Sequence, residues 1–400
     1  MNIKASQFGK RMGSMILILT VFFSLCAASE TGQSRKIVVF KKSFDRGSSQ
    51  DILLKNSGAL KIKSLKLING AVAHLSSQTE RVLKNKDEVL RIDEDFFIHA
   101  AQIQSRTKNK KIPDQPIQEF LWNMLLIGAD LAWLQTQGTA VRVAVIDTGI
   151  DLDHPDLFEN IKGHINIIKP KKSGDDDGGH GTHVAGIVAA ADNAIGVIGV
   201  GPEIDLYAVK ILDKKGRGRL SDLIDALDWC MDNDIQVVNL SLGSLQDNSS
   251  FHEAVMSAYQ AGITLIAAAG NYGQTGGVIS YPARYPETIA VSSVDQFGNL
   301  DPFSSRGAEI DLAAPGVEVR STLNDGSYVL MSGTSMAAPH VTGTVALILS
   351  TVPNNQFDVN HNGIWDPSEI LMKLKLTSQS LGLPVQQQGA GLVRADEAIR

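Results

Sequence analysis

Cysteine is almost absent from this chain. There are two in 400 residues, Cys26 and Cys230. Cys26 falls in an N-terminal segment that reads as removable, so the mature chain keeps one thiol and no internal disulfide. An excess of positive charge is also missing. Lys and Arg number 37 against 43 Asp and Glu, a net charge of −6, which leaves no basic footprint for nucleic acid. Residues 15–25 are apolar but fall short of the ~20 residues of a membrane span. Internal repeats and low-complexity tracts are lacking. What is present is a globular composition, 43% hydrophobic and 20% charged, which excludes a disordered chain and permits a substantial core.

Residues 1–28 read as a signal peptide. Lys4, Lys10 and Arg11 supply the positive region, residues 15–25 the apolar one, and Cys26-Ala27-Ala28 the small residues for cleavage. The expectation is an exported protein, periplasmic or extracellular, with no span in its mature form. A membrane anchor is the bland alternative. Lipid attachment at Cys26 is the other, disfavoured by the large Leu25. An exported chain without disulfides calls for another staple, and calcium is the candidate.

Residues 35–100 form a separate small α+β unit, with strands expected at 36–40, 68–75 and 89–92 and a helix at 78–85. It is too small to bury a large core. Residues 101–117, with Arg106, Lys108, Lys110 and Lys111, read as a polar linker and an exposed maturation region. From 118 to 400 the pattern alternates. Strands are expected at 141–146, 206–211, 237–240, 264–268 and 289–294, with helices at 182–191, 221–231 and 252–261. This predicts an α/β fold, a parallel central sheet with helices on both faces. Sites in such sheets lie at the carboxyl ends of the strands.

Three segments carry chemistry. Residues 144–149, Ala-Val-Ile-Asp-Thr-Gly, end a strand on Asp147. Residues 180–186, His-Gly-Thr-His-Val-Ala-Gly, open a helix on His180. Residues 333–340, Gly-Thr-Ser-Met-Ala-Ala-Pro-His, place Ser335 at the start of a long apolar helix. Serine is a poor nucleophile until a histidine takes its proton, and a carboxylate must hold that histidine in the right tautomer. Ser335 is therefore the expected nucleophile, His180 the base and Asp147 the orienting anion. The helix N-terminus favours negative charge, so the Ser335 N–H is one candidate oxyanion donor. Asn271, after the strand ending at Ala268, is the second. His183 lies inside the helix and is expected to pack internally. The run Asp175-Asp176-Asp177 reads as a solvated loop without metal.

On these residues the chain resembles the subtilisin-like serine peptidases (subtilases) over about residues 118–400. Residues 37–99 resemble the inhibitory propeptide that precedes many secreted members. The resemblance implies an acyl-enzyme endopeptidase acting on proteins or peptides, made as a self-processed zymogen inhibited by its own propeptide and monomeric. It also implies a substrate cleft. Gly216, Arg217 and Gly218 form one edge and Ser241, Leu242 and Gly243 the other, holding an extended peptide by strand addition. Ala268, Ala269 and Gly270 line the pocket for the residue before the scissile bond, with Ser280 at its floor. No acidic residue falls there, so the expectation is a broad, apolar-tolerant pocket. Arg217 is expected to bias outer subsites towards acidic or polar side chains.

Residues 358–369 match an EF-hand calcium loop at every specified position. Asp358, Asn360 and Asn362 supply side-chain oxygens at positions one, three and five. Gly363 allows the turn, Ile364 offers its carbonyl, Asp366 stands ninth and Glu369 twelfth. A helix is expected on either side. This departs from the common subtilase pattern and suggests a staple rather than a sensor. The resemblance implies a second calcium set: Gln118, Asp156, Asn193 and the carbonyls of Ala191, Ile195 and Val197. Competing readings are a catalytically silent scaffold or binding protein on the same fold and an esterase with the same triad.

Overall fold

A computed structural model describes residues 32–101 and 115–400. The expected signal peptide and most of the expected linker lie outside these residues.

The N-terminal unit runs β1 (Gln33–Phe40), α1 (Ser48–Asn56), β2 (Leu60–Leu65), β3 (Gly70–Ser76), α2 (Ser77–Lys84), β4 (Val89–Glu94). Its four strands form an antiparallel sheet ordered β2-β3-β1-β4. Strand alternation splits its apolar residues between two cores. On β1, Val38 and Phe40 pack with Leu54, Leu75 and Leu83 inside the unit. Ile37 and Val39 face the other way and join a core built on the large domain. The unit thus buries its second face only by docking, as its size requires. One more strand, β5 (Phe97–Ala100), follows it.

The large domain opens with α3 (Trp122–Ile127) and α4 (Ala129–Ala132). It continues β6 (Arg142–Asp147), β7 (Ile161–Asn166), α5 (His180–Ala189), β8 (Asp205–Lys210), β9 (Arg217–Arg219) and α6 (Leu220–Asp232). Next come β10 (Val237–Leu240), β11 (Leu242–Gly243), α7 (Ser249–Gln260), β12 (Thr264–Ala268) and β13 (Thr288–Val294). It closes with β14 (Leu312–Pro315), β15 (Val319–Leu323), β16 (Ser327–Met331), α8 (Thr334–Leu349), α9 (Pro367–Thr377), α10 (Val385–Gln388) and α11 (Ala395–Ala398). Seven strands form a parallel sheet in the order β14-β13-β12-β10-β6-β8-β7. The strand order reverses at β6, so a crevice opens at the carboxyl ends of β6 and β10. The β6, β10, β12 and β13 residues are buried save Arg142, as expected of strands covered on both faces.

One cover holds α5 and α8, the other α6 and α7. Helix α8 is buried along almost its whole length and carries Pro339 inside it. Proline has no N–H to give the carbonyl four residues back. That carbonyl is Ser335 O, and Ser241 Oγ donates to it instead at 2.9 Å. Asn239 Nδ2 donates to Ser241 Oγ at 2.8 Å, and Thr342 Oγ1 to Asn239 Oδ1 at 2.9 Å. The missing helical bond becomes a tie between the helix of Ser335 and the crevice edge. Cys230 is buried on α6 as a free thiol.

Candidate active site

Asp147 ends β6 and is fully buried. Its Oδ1 and Oδ2 lie 2.8 and 2.9 Å from His180 Nδ1. His180 opens α5, beneath Gly181. A Cβ on Gly181 would stand 2.1 Å from Gly149 O, so glycine is what lets the two turns touch. Burial works against a charged His180, but the Asp147 carboxylate, with a smaller push from Asp176, outweighs it and raises the pKa above the ordinary histidine value. His180 Nε2 is buried and has no hydrogen-bond partner among the described residues.

Within the acidic run expected to be solvated, Asp175 and Asp177 are exposed, but Asp176 is not. It is buried and accepts from Gly178 N, Gly179 N, Thr182 N and Thr182 Oγ1 at 2.6–3.0 Å, capping the helix that starts on His180. Asp177 takes Lys210 Nζ at 2.6 Å. His183 is buried, its Nε2 between Val319 O and Val329 O at 3.1 Å. Burial lowers its pKa to about 3, so it packs internally as a neutral ring.

Ser335 is buried at the start of α8. Its Oγ donates to Ala101 O at 2.5 Å and Ser241 O at 3.1 Å, and no hydrogen bond joins it to His180. Asn271 Nδ2 donates to the same Ala101 O at 2.7 Å. Asn271 Oδ1 in turn accepts from Thr334 N and Thr334 Oγ1 at 3.0 and 3.1 Å. Gly333 completes this pocket at φ +153, where an added Cβ would stand 3.1 Å from Ala101 O. The structure gives the Ser335 N–H no bond to this oxygen, so among the described residues Asn271 is the one side-chain amide aimed at it.

The carbonyl comes from the strand that the sequence patterns missed. β5 lies between β9 and β11 in an antiparallel sheet ordered β11-β5-β9. Ala100 N donates to Gly216 O at 2.9 Å and Ala101 N to Ser241 O at 3.1 Å. Both expected cleft edges are thus occupied: Arg217 and Gly218 oppose His99 and Ile98, and Leu242 and Gly243 oppose Ala100 and His99. Ala101 leaves a cavity of about 150 Å³ beside it, walled by Gly243, Gly270, Asn271, Tyr272 and Ser280. Ala268 and Ala269 stand behind this wall and do not line it. They are fully buried, and Ala269 O accepts from Ser280 N and Ser280 Oγ at 2.9 and 3.2 Å. Tyr272 had not been expected in the wall; it adjoins Asn271, the only sequence signal. Arg217 turns towards Asp213, 3.3 Å away, rather than into the cleft.

Among the described residues, no group of three or more His, Cys, Asp or Glu is gathered for a metal. The first candidate calcium set joins one carboxylate, Asp156, to amide and carbonyl oxygens; the second has three carboxylates, Asp358, Asp366 and Glu369, which the loop does not gather into such a group. In the first, Asp156 is fully buried, and burial raises its pKa to about 7. Its Oδ2 accepts from Val197 N at 2.9 Å, while Oδ1 has no hydrogen-bond partner among the described residues. Gln118 Oε1 meets Asn193 N at 3.1 Å and Ala194 N at 2.6 Å. Asn193 Oδ1 accepts from Ile195 N at 3.1 Å, and Ala191 N is tied to Asp156 O. An orphaned carboxylate oxygen amid such groups fits a cation.

In the second, Asp358 accepts from Asn362 N and Gly363 N, and Asn360 and Asn362 turn their Nδ2 towards Asp366 Oδ2. Gly363 takes φ +75. Ile364 N donates to Asn362 Oδ1. Glu369 accepts from Val359 N at 2.7 Å and Asp366 N at 3.1 Å, forming a capping box with Asp366 at the start of α9. The expected preceding helix is not joined to the loop: α8 ends at Leu349, and residues 350–357 are turn and coil. No helix of the described residues is long and apolar enough to cross a membrane.

Residues 138–391 match the Subtilase family. Subtilisin E of Bacillus subtilis (strain 168) is 36% identical over 399 residues, 97% of each chain. Thermostable alkaline protease of Halalkalibacterium halodurans is 45% identical over 263 residues, 66% of this chain and 68% of that one. Subtilisin Savinase of Lederbergia lenta is 44% identical over 263 residues, 66% of this chain and 92% of its own. The seven-stranded parallel sheet agrees with these likenesses, and the chain belongs to the subtilase family, as a serine endopeptidase.

Proposed function

We propose that this chain is an exported peptidase made as a zymogen, and that it cuts itself between Ala101 and Gln102. The observation that carries the reading is the Ala101 carbonyl, which accepts at once from Ser335 Oγ and Asn271 Nδ2. Residues 97–101 lie as a substrate lies, with the strand addition that an extended peptide needs.

The reaction is acyl transfer. Asp147 accepts the His180 Nδ1–H and so keeps Nε2 as the basic nitrogen. Ser335 Oγ attacks the Ala101 carbonyl carbon while its proton passes to Nε2. The hydroxyl must first turn from Ala101 O and Ser241 O to that unpaired nitrogen. Negative charge gathers on Ala101 O, where Asn271 Nδ2 stands ready. His180 then returns the proton to the Gln102 nitrogen, the peptide bond breaks and an ester remains on Ser335. Water, deprotonated by the same imidazole, attacks the ester carbonyl carbon; the bond to Ser335 Oγ breaks and His180 returns the proton to that oxygen. The N-terminal unit stays docked through α6 and α7 and acts as the inhibitor until it is lost. Other proteins and peptides then enter the same cleft, and the enzyme acts as a monomer outside the cytoplasm.

Calcium is the staple in this reading. Bound, it supplies positive charge to the oxygens that hold it and no reaction step. Asp156 with Gln118, Asn193 and the carbonyls of Ala191, Ile195 and Val197 would hold one ion. Asp358, Asn360, Asn362, Ile364, Asp366 and Glu369 would hold another.

Expression of the full chain, followed by N-terminal sequencing, tests the proposal. Wild type should yield a chain starting at Gln102 that takes a fluorophosphonate label. The purified Ser335→Ala precursor should stay uncut and unlabelled. Normal maturation of that variant in a pure system would overturn self-processing. Failure of wild type to take the label would overturn the nucleophile.

A further inference from the structure

β5 presents its side chains alternately. Ile98 is fully buried, whereas Phe97 is 46% exposed. Phe97 stands directly opposite Arg219 of β9. The Arg219 Cζ lies 3.6 Å from the centroid of the Phe97 ring. A guanidinium on an aromatic face at this distance is a cation–π pair. Counting back from Ala101, Phe97 is the fifth residue before the proposed scissile bond. We propose that Arg219 is a specificity-determining residue that selects an aromatic side chain at that fifth position in protein substrates. The inference rests on the proposal that residues 97–101 occupy the substrate cleft.

Three features support it. The Arg219 backbone belongs to the large domain. It is the N-cap residue of α6 and an edge of the cleft, so it remains when the N-terminal unit leaves. The guanidinium is partly withdrawn from water, and that burial lowers its pKa. Partial desolvation strengthens attraction to a ring face. The other arginine on this edge, Arg217, is held by Asp213 and does not compete for the ring. Phe97 gains little from burial in its own unit, so the contact suits a reader of exposed aromatic residues. The Arg219 edge donates from Nη1 to Asp95 O at 2.8 Å, an oxygen of the departing segment, and the guanidinium face is left to the ring.

The test uses mature wild-type enzyme and fluorogenic peptides that keep Ile-His-Ala-Ala before the cut and carry Phe, Trp, Leu or Glu in front of it. Phe and Trp should exceed Leu in kcat/KM by about two- to fivefold, the range of a partly exposed cation–π pair. Arg219→Gln should bring the Phe-to-Leu ratio close to one. Arg219→Lys should leave an intermediate ratio. Equal rates for Phe and Leu in wild type would overturn the assignment, as would an unchanged ratio in Arg219→Gln. A preference for Glu would overturn it too, making Arg219 an anion reader. The wild-type comparison alone decides if neither variant matures. If no peptide is cut and no fluorophosphonate label enters, the peptidase reading falls instead.

Discussion

Thr334 fixes which end of the Asn271 amide faces the cleft. Its N–H and its hydroxyl both donate to Asn271 Oδ1, at 3.0 and 3.1 Å. Nδ2 is thereby left pointing at Ala101 O. The hydroxyl bond closes a loop, since Thr334 Oγ1 also accepts from Gly270 N at 3.1 Å.

Thr334→Val should therefore lower kcat with little change in KM. The loss should be about three- to tenfold, the worth of one ordinary hydrogen bond. Asn271→Ala removes the donor itself and should cost about 10²–10³ in kcat, a magnitude carried over from subtilisin rather than obtained for this chain. Gly333→Ala should also slow the enzyme, because its Cβ would press on the same oxygen. Steady-state kinetics on one peptide substrate checks all three. A Thr334→Val enzyme with a raised KM and normal kcat would contradict the orienting role.

Asp176 predicts a pH effect. His180 must be neutral to act as base, so activity falls as pH drops through its pKa. The Asp176 charge helps raise that pKa. In Asp176→Asn the imidazolium loses this support, and the acid limb of kcat/KM should move to lower pH. Stability should fall as well, because Asp176 caps the first turn of α5. A purely structural role would lower Tm and leave the acid limb in place.

The large domain was legible because its strands are nearly continuous apolar runs. β10 and β12 match the expected bounds. β7 escaped notice because it is the sheet edge, and Ile-Lys-Gly-His-Ile-Asn alternates polar residues with only half-buried ones. β5 escaped for a different reason. Phe-Ile-His-Ala contains one fully buried side chain, and nothing local makes it a strand; β9 and β11 do. Asp176 looked solvated because acidic runs usually are. Its four donors come from a glycine turn and a threonine whose placement only the fold decides. Asp147, His180 and Ser335 were readable individually as candidates, but the hydroxyl of Ser335 turned to Ala101 O was not, because that bond depends on β5.

The docked N-terminal unit should be sensitive to salt. Asp222, Asp225, Asp228 and Asp232 recur at three- and four-residue spacing, so they share one face of α6. Lys63 Nζ lies 2.7 Å from Asp222 and 2.6 Å from Asp225, and Lys66 Nζ lies 3.6 Å from Asp228 and 3.0 Å from Asp232. Ion pairs open or partly open to water are individually weak, so removal of both lysines should change affinity by about two- to tenfold. In the full chain carrying Lys63→Gln and Lys66→Gln, the delay between self-cleavage and peptide-cutting activity should shorten by about that factor. Added salt should shorten the wild-type delay and affect the variant less. Equal delays at low salt would show that the apolar face, Ile37, Val39 and Val72, holds the unit without them.

Asp156 offers the sharpest test of calcium. Its Oδ1 is buried without a donor, and an ionised carboxylate in that state is costly unless a cation joins it. Calcium should therefore raise the Tm of the wild type measured against chelator. Asp156→Asn removes the charge that demands the ion, so the variant should be less responsive to calcium and lose less on chelation. Glu369→Gln addresses the other loop, where the carboxylate already accepts from Val359 N and Asp366 N. An amide keeps one acceptor oxygen, so this variant should retain most of its stability in chelator and lose the calcium-dependent part. The inactive Ser335→Ala background removes self-digestion from the measurement. Equal calcium dependence in all three chains would mean that neither Asp156 nor Glu369 binds the ion.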